Sequence, residues 1–255
     1  MDREVLRNKV QTVRGLIEPN NLGPTLMHEH LLCDVTQPGL AKCSCDEVAI
    51  TLENVWEINY TWGTRDLGNS RIIDRDIAIR EMVRLREDGG NSIVELTNHG
   101  LARDPMGLVE IAKCSDVNIV MGCGRYIDAF LSPEMRHQSV DEIASDTISD
   151  VLEGVGDSDI RAGIIGEIGC SWPLTSNERK VLKAAAKAQK IKGWYELEKA
   201  YEKNESIMGK ITSKCKGGVI VEHIDTGSLM FCPGSQISDK PLKNICLLYK
   251  SEDDD

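Results

Sequence analysis

The chain has 255 residues, of which 41% are apolar and 28% charged, with a net charge of −11. That balance describes an ordinary soluble globular protein, long enough for one large domain or two small ones. An excess of carboxylates argues against nucleic acid or an anionic membrane as partner, since both recruit clustered Lys and Arg.

The start, Met1-Asp2-Arg3-Glu4-Val5, is too charged for a signal peptide. No apolar stretch approaches the roughly 20 residues that cross a bilayer. Nine cysteines make an odd count without a CxxC pair, and Cys43-Ser44-Cys45 is too tight for a zinc knuckle. Reduced thiols in a cytoplasmic protein are the natural reading. The closing run Ser251-Glu252-Asp253-Asp254-Asp255 reads as a solvated tail.

Taken in chain order, Leu26 to Leu32 reads as a strand that carries His28-Glu29-His30 at its end. Side chains at i and i+2 of a strand point to one side, so two imidazoles there can share a metal ion. An irregular insertion with Trp56, Tyr60 and Trp62 follows, from about Asp34 to Ser70. Ile72, Ile79, Met82 and Val83 share a helical face, which Gly89-Gly90 ends. Ser92 to Thr97 is an apolar strand, and Asp104-Pro105 caps a short helix with Leu108, Ile111 and Ala112.

The alternation continues. Val117 to Met121 is a strand closed by Gly122-Cys123-Gly124, and Val140, Ile143, Ala144, Val151 and Leu152 mark a helix. Ala162 to Ile168 is the next strand. Thr175 and Glu178 form a capping box for an Ala-rich helix ending near Lys190. Strands that each precede a helix describe a parallel α/β sheet. A doubly wound sheet would place a glycine-rich phosphate loop after its first strand. His-Glu-His occupies that position, so a (β/α)8 TIM-type barrel is favoured. In such a barrel the chemistry gathers at strand ends, where His28, His30, Asn98-His99, Gly124-Arg125-Tyr126 and Glu167 fall.

Gly23-Pro24-Thr25-Leu26-Met27-His28-Glu29-His30 resembles the opening motif of the phosphotriesterase branch of the amidohydrolase superfamily. The stretch Gly163 to Thr175, Gly-Ile-Ile-Gly-Glu-Ile-Gly-Cys-Ser-Trp-Pro-Leu-Thr, is very similar to the phosphotriesterase-related proteins. Val10 to Ile17, Arg103-Asp104, Ile119 to Gly122 and Tyr126 to Asp128 fit as well, so that residues 1–190 carry the likeness within a single hydrolase domain, 1–255. The resemblance implies a hydrolase with two divalent metal ions, zinc by default, in which His28 and His30 bind one ion. It further implies that Glu167 bridges the pair, as a carboxylate spanning ions about 3.5–4 Å apart. A carboxylate inside an apolar strand needs such a partner, because burying it alone costs several kcal/mol.

The implied reaction is attack by activated water on an ester or amide of a small molecule: an N-acyltaurine-like amide, a lactone or a phosphoester. Arg125 and Tyr126 are candidate contacts for an anionic substrate, with a surface salt bridge as the other role for Arg125. His99 is either a loop residue or a neighbour of the site, and His137 carries no role. Cys170 and Trp172 are expected to pack around the site. A homo-oligomer is left open.

After Lys190 the likeness stops. Gly193 to Leu197 opens a second helix with Trp194, Leu197, Tyr201 and Met208 on one side, and no strand-five histidine motif appears. Gly217 to Asp225 fits either strand six, making His223 a metal ligand, or strand seven, with Leu242 to Leu248 as the helix behind it. The barrel is therefore expected to be incomplete after strand four. The alternative to a working hydrolase is a non-catalytic remnant or splice form of that fold, acting, if at all, through protein binding.

Overall fold

The computed structural model describes residues 9–36, 50–60, 70–215, 218–224 and 228–233, with 57–59 and 190–199 described by backbone alone. The Cys43-Ser44-Cys45 pair, Trp62, Asp225, the 242–248 helix and the acidic tail lie outside them. Two compact units emerge where the sequence suggested one domain: Met1–Ala188 and Gln189–Asp255.

The first unit opens with a hairpin of β1 (Val10–Thr12) and β2 (Gly15–Ile17), followed by β3 (Thr25–Glu29). Next, β4 (Cys33–Asp34) pairs antiparallel with β5 (Arg71–Ile72), and α1 (Val55–Tyr60) lies between them in sequence. The regular alternation then runs α2 (Arg75–Glu87), β6 (Ser92–Glu95), α3 (Pro105–Ser115) and β7 (Asn118–Cys123). After it come α4 (Pro133–His137), α5 (Val140–Leu152), β8 (Ile164–Ile165) and α6 (Ser176–Glu202), of which the residues from Gln189 on belong to the second unit.

Four strands form the main sheet, in the order β3-β6-β7-β8, and every pairing in it is parallel. Leu26 faces Ile93, Val94 faces Val120, and Gly122 faces Ile164. The central strands β6 and β7 are buried on both faces, as parallel strands covered on both sides are, while β3 and β8 at the sheet's edges are partly exposed. Ile93, Ile119 and Met121 pack with Ala78 and Met82 of α2 and with Leu108, Ile111 and Ala112 of α3. Val94, Leu96 and Val120 form a second cluster with Val10 and Leu22. Burying one such Ile or Leu contributes about 1.5–3 kcal/mol.

Local signals fix the helix ends. Asp74 Oδ1 accepts the Ile77 N–H, Asp104 Oδ1 accepts the Gly107 N–H with Pro105 beside it, and Ser139 with Glu142 makes a full capping box. Past Asp88, Gly89 takes φ +94°, a backbone that side chains with a Cβ resist. Thr175 and Glu178 bond reciprocally at the start of α6, as the spacing predicts.

Several boundaries differ from the sequence expectation. Ile72 belongs to β5 and is half-exposed, so the helical face rests on Ala78 and Met82. The helix expected to end near Lys190 continues to Glu202, through Gly193. Among the described residues the parallel sheet has four strands and does not close.

In the second unit, β9 (Gly209–Cys215), β10 (Gly218–His223) and β11 (Leu229–Pro233) form an antiparallel sheet with β10 central. The expectation that Gly217 to Asp225 is a parallel barrel strand, six or seven, is therefore corrected. Two residues separate β9 from β10, and so short a link can join only antiparallel neighbours.

Candidate metal centre

The C-terminal ends of β3 and β8 deliver the candidate ligands. His28 lies within β3 and His30 just beyond it; Glu167 follows the end of β8 by two residues. The backbone around Glu167 is pressed against β7. A Cβ at Gly122 would sit 2.2 Å from the Gly166 carbonyl oxygen, and one at Gly124 would sit 2.1 Å from that of Glu167. Neither position tolerates a side chain without moving Glu167. Asn98, fully buried, donates its Nδ2 to the Glu167 carbonyl at 2.5 Å. Gly166 N donates to Cys123 O at 2.9 Å, and Gly169 N to Arg125 O at 3.1 Å.

Held this way, one ligand atom from each of His28, His30 and Glu167 lies within 4.8 Å of the others. His28 Nε2 is 2.9 Å from Glu167 Oε2, and the two imidazole centroids are 5.5 Å apart at 63°. Burial pushes the His30 pKa down, and His28 adds to the fall while Glu167 opposes it. A neutral imidazole is the form that donates a lone pair to a metal. Two imidazoles and a carboxylate in this spacing fit a divalent ion.

Behind His30 lies a carboxylate the sequence reading missed. Glu95, at the end of β6, has no exposed surface and accepts hydrogen bonds from Leu31 N, Thr97 N and Thr97 Oγ1. Burial pushes its pKa up to about 7, against the pull of those hydrogen bonds. Thr97 Oγ1 also lies 3.0 Å from His30 Nδ1. The signal was available: a carboxylate within Ser92-Ile93-Val94-Glu95-Leu96-Thr97 is as unusual as Glu167 in its own strand.

Other expected site residues lie elsewhere or serve other ends. Arg125 is 4% exposed, and its guanidinium donates to Gln138 Oε1 at 2.6 Å and Asp146 Oδ2 at 2.9 Å. The pairing with Asp146 is a salt bridge, the other role the sequence gives this residue. Tyr126 packs its ring edgewise on Phe130 at 5.2 Å. His99 Nε2 sits 3.0 Å from Arg103, which binds Asp150 at 2.9 Å, so this histidine joins a structural charge cluster. His137 is exposed at the end of α4. His223 is buried on β10 of the second unit and is not among the three residues brought together. Cys170 and Trp172, expected as packing around the site, are both exposed, Trp172 to 95%. Their loop is instead anchored from within by Glu178, which accepts from Ser171 Oγ, Thr175 N and Asp128 N. Burial alone would raise the Glu178 pKa, but these donors reverse the shift and hold it at about 2.

A parallel sheet with such groups at its C-terminal strand ends defines a TIM-like α/β protein with a candidate metal centre. Comparisons narrow the class. The model of the phosphotriesterase family matches residues 8–195. The N-acetyltaurine hydrolase of Salmo salar is 40% identical over 190 residues, covering 72% of this chain and 54% of the relative. The human N-acetyltaurine hydrolase is 39% identical over the same coverage. Among solved structures, a resiniferatoxin-binding protein from Rhodobacter sphaeroides superposes with a TM-score of 0.64 at 35% identity, over 71% of this chain and 52% of that one. The chain belongs to the phosphotriesterase family. It spans about half the length of the curated relatives it matches.

Proposed function

We propose that this chain carries the metal centre of a hydrolase that cleaves a small-molecule ester or amide. The observation that carries the reading is the convergence of His28, His30 and Glu167 ligand atoms within 4.8 Å at the strand ends. His28 and His30 would hold one divalent ion, zinc by its preference for imidazole and carboxylate, and Glu167 would bridge to a second. A bound ion supplies Lewis acidity and lowers the pKa of water at the site.

The chain's own residues do the rest. Asn98, Gly122 of β7 and Gly124 just past it set the Glu167 backbone, and thus where its carboxylate reaches. His28 faces Glu167 Oε2 through Nε2, and that nitrogen must give up any proton to become a ligand. Arg125 and Tyr126, the latter in ring contact with Phe130, stay the candidates for contacting an anionic substrate.

The relatives' name favours an N-acyltaurine-like amide as substrate, ahead of a lactone or a phosphoester. We read the protein as cytoplasmic, and the six described cysteines are present as thiols. Elemental analysis of chain purified with zinc present, followed by hydrolysis assays on N-acetyltaurine, a lactone and a phosphotriester, tests the proposal. Bound zinc with chelator-sensitive hydrolysis supports it; zinc-free protein sinks it.

A second reading has its own support in the four-stranded extent of the parallel sheet among the described residues. In it the chain is a non-catalytic remnant that keeps the fold and acts by binding protein. Zinc bound without turnover of any of the three substrates would select it.

A further inference from the structure

Among the groups outside the three candidate ligands, the buried chain Glu95–Thr97–His30 is the one that ends on a ligand atom. Its hydrogen-bond roles can be assigned one after another. Leu31 N and Thr97 N donate to Glu95, one to each oxygen at 3.2 Å, and in the ionised carboxylate present at pH 8 both oxygens can only accept. Thr97 Oγ1, 2.5 Å from Glu95 Oε1, therefore spends its one proton on that carboxylate. With its proton used, the hydroxyl oxygen can only accept from His30 Nδ1, 3.0 Å away. A neutral imidazole has one N–H, so the proton on Nδ1 leaves the lone pair on Nε2.

From this geometry we infer that Thr97, oriented by Glu95, is a positioning residue that fixes His30 in its Nδ1–H tautomer and so presents Nε2 as the metal-binding atom. The inference rests on the metal-centre reading above and adds to it how one ligand is made ready. Solvated imidazoles favour the opposite tautomer, Nε2–H, so the pair holds His30 in the form it would not choose alone. Both members are more than nine-tenths buried, and water cannot substitute for either. Metal-binding histidines elsewhere are commonly oriented by a carboxylate or carbonyl bonded to the other ring nitrogen; here a hydroxyl stands between.

The test reads the tautomer directly, in metal-free protein. Two-bond nitrogen–proton correlation spectra at about pH 8 report which imidazole nitrogen carries the proton, with the His30 signals assigned by their absence in His30→Asn. Wild type is expected to show His30 as Nδ1–H. Thr97→Val, nearly the same in shape, is expected to shift it toward Nε2–H and weaken zinc binding by about 10–100-fold. Thr97→Ser keeps the hydroxyl and should restore both readouts. Glu95→Gln gives the hydroxyl a neighbour that donates as well as accepts, and the tautomer should relax to a mixture. Thermal melts confirm that each variant is folded.

An Nε2–H His30 in wild type, or a Thr97→Val variant unchanged in tautomer and zinc affinity, overturns the inference. Wild type that shows Nδ1–H yet binds no zinc sinks the hydrolase reading and leaves the positioning pair standing.

Discussion

The two units of this chain solve the problem of a sheet in opposite ways. In the first, β6 is buried along its whole length, and each parallel neighbour lies beyond a helix-bearing connection. In the second, most of β9 is exposed and its pairing with β10 needs a link of two residues. The difference bears on chemistry. Parallel strands bring all their C-terminal ends to one edge, so groups as distant in sequence as His28, Glu95 and Glu167 meet there. Antiparallel strands send alternate ends to opposite edges, and His223 on β10 pairs with Gly209 of β9 in a local hairpin. A metal centre belongs to the first arrangement.

Mutations can break that contrast at several scales. The largest effect is expected at Ile93, fully buried in the main core: Ile93→Ala should cost about 2–5 kcal/mol in chemical denaturation. The half-exposed Ile207, before β9, should cost less than about 0.5 kcal/mol on the same change. Equal losses would contradict the assignment of the main core to the parallel sheet.

A matched pair of glycines sharpens the comparison. A Cβ at Gly124 meets Glu167 O at 2.1 Å, and one at Gly218 meets Cys232 O at 2.1 Å. Gly124→Ala and Gly218→Ala should each cost about 1–3 kcal/mol through overpacking. They should differ in zinc: the first displaces Glu167 and lowers zinc content, while the second leaves it intact. Zinc loss from Gly218→Ala would tie the centre to the wrong sheet.

The smallest effect concerns acid. The Glu178 pKa is held at about 2 from an ordinary 4.5, so its stabilising contribution is present above that ordinary value. It is lost as pH falls from about 4.5 toward 2. Acid titrations followed by circular dichroism should show this loss in wild type and a flatter profile over that interval in Glu178→Gln. Superimposable profiles would remove Glu178 as the anchor of the loop behind Glu167.

Much of the first unit was legible because its signals are local. Helix caps at Asp104 and Thr175 need only a side chain and an N–H three residues on, and the sequence shows both. His28, His30 and Glu167 stood out as polar groups in apolar strands. Glu95 carried the same signal and was passed over, because its partner Thr97 makes sense only once β3 lies beside β6. The partners of Arg125 were hidden for the related reason that Gln138 and Asp146 reach it from beyond β7. In the second unit, Gly217 to Asp225 has the composition of a strand, and composition does not say which way its neighbours run. The two-residue link to β9 does, once the structure shows β9 as a strand.

The most direct test of the account is a zinc titration of wild type beside His30→Ala, Glu167→Ala and His223→Ala. Wild type and His223→Ala should bind zinc alike, while the other two weaken by more than about 100-fold, beyond the loss of an indirect contact. Undiminished binding in Glu167→Ala, or loss confined to His223→Ala, would contradict a metal centre built at the ends of the parallel strands.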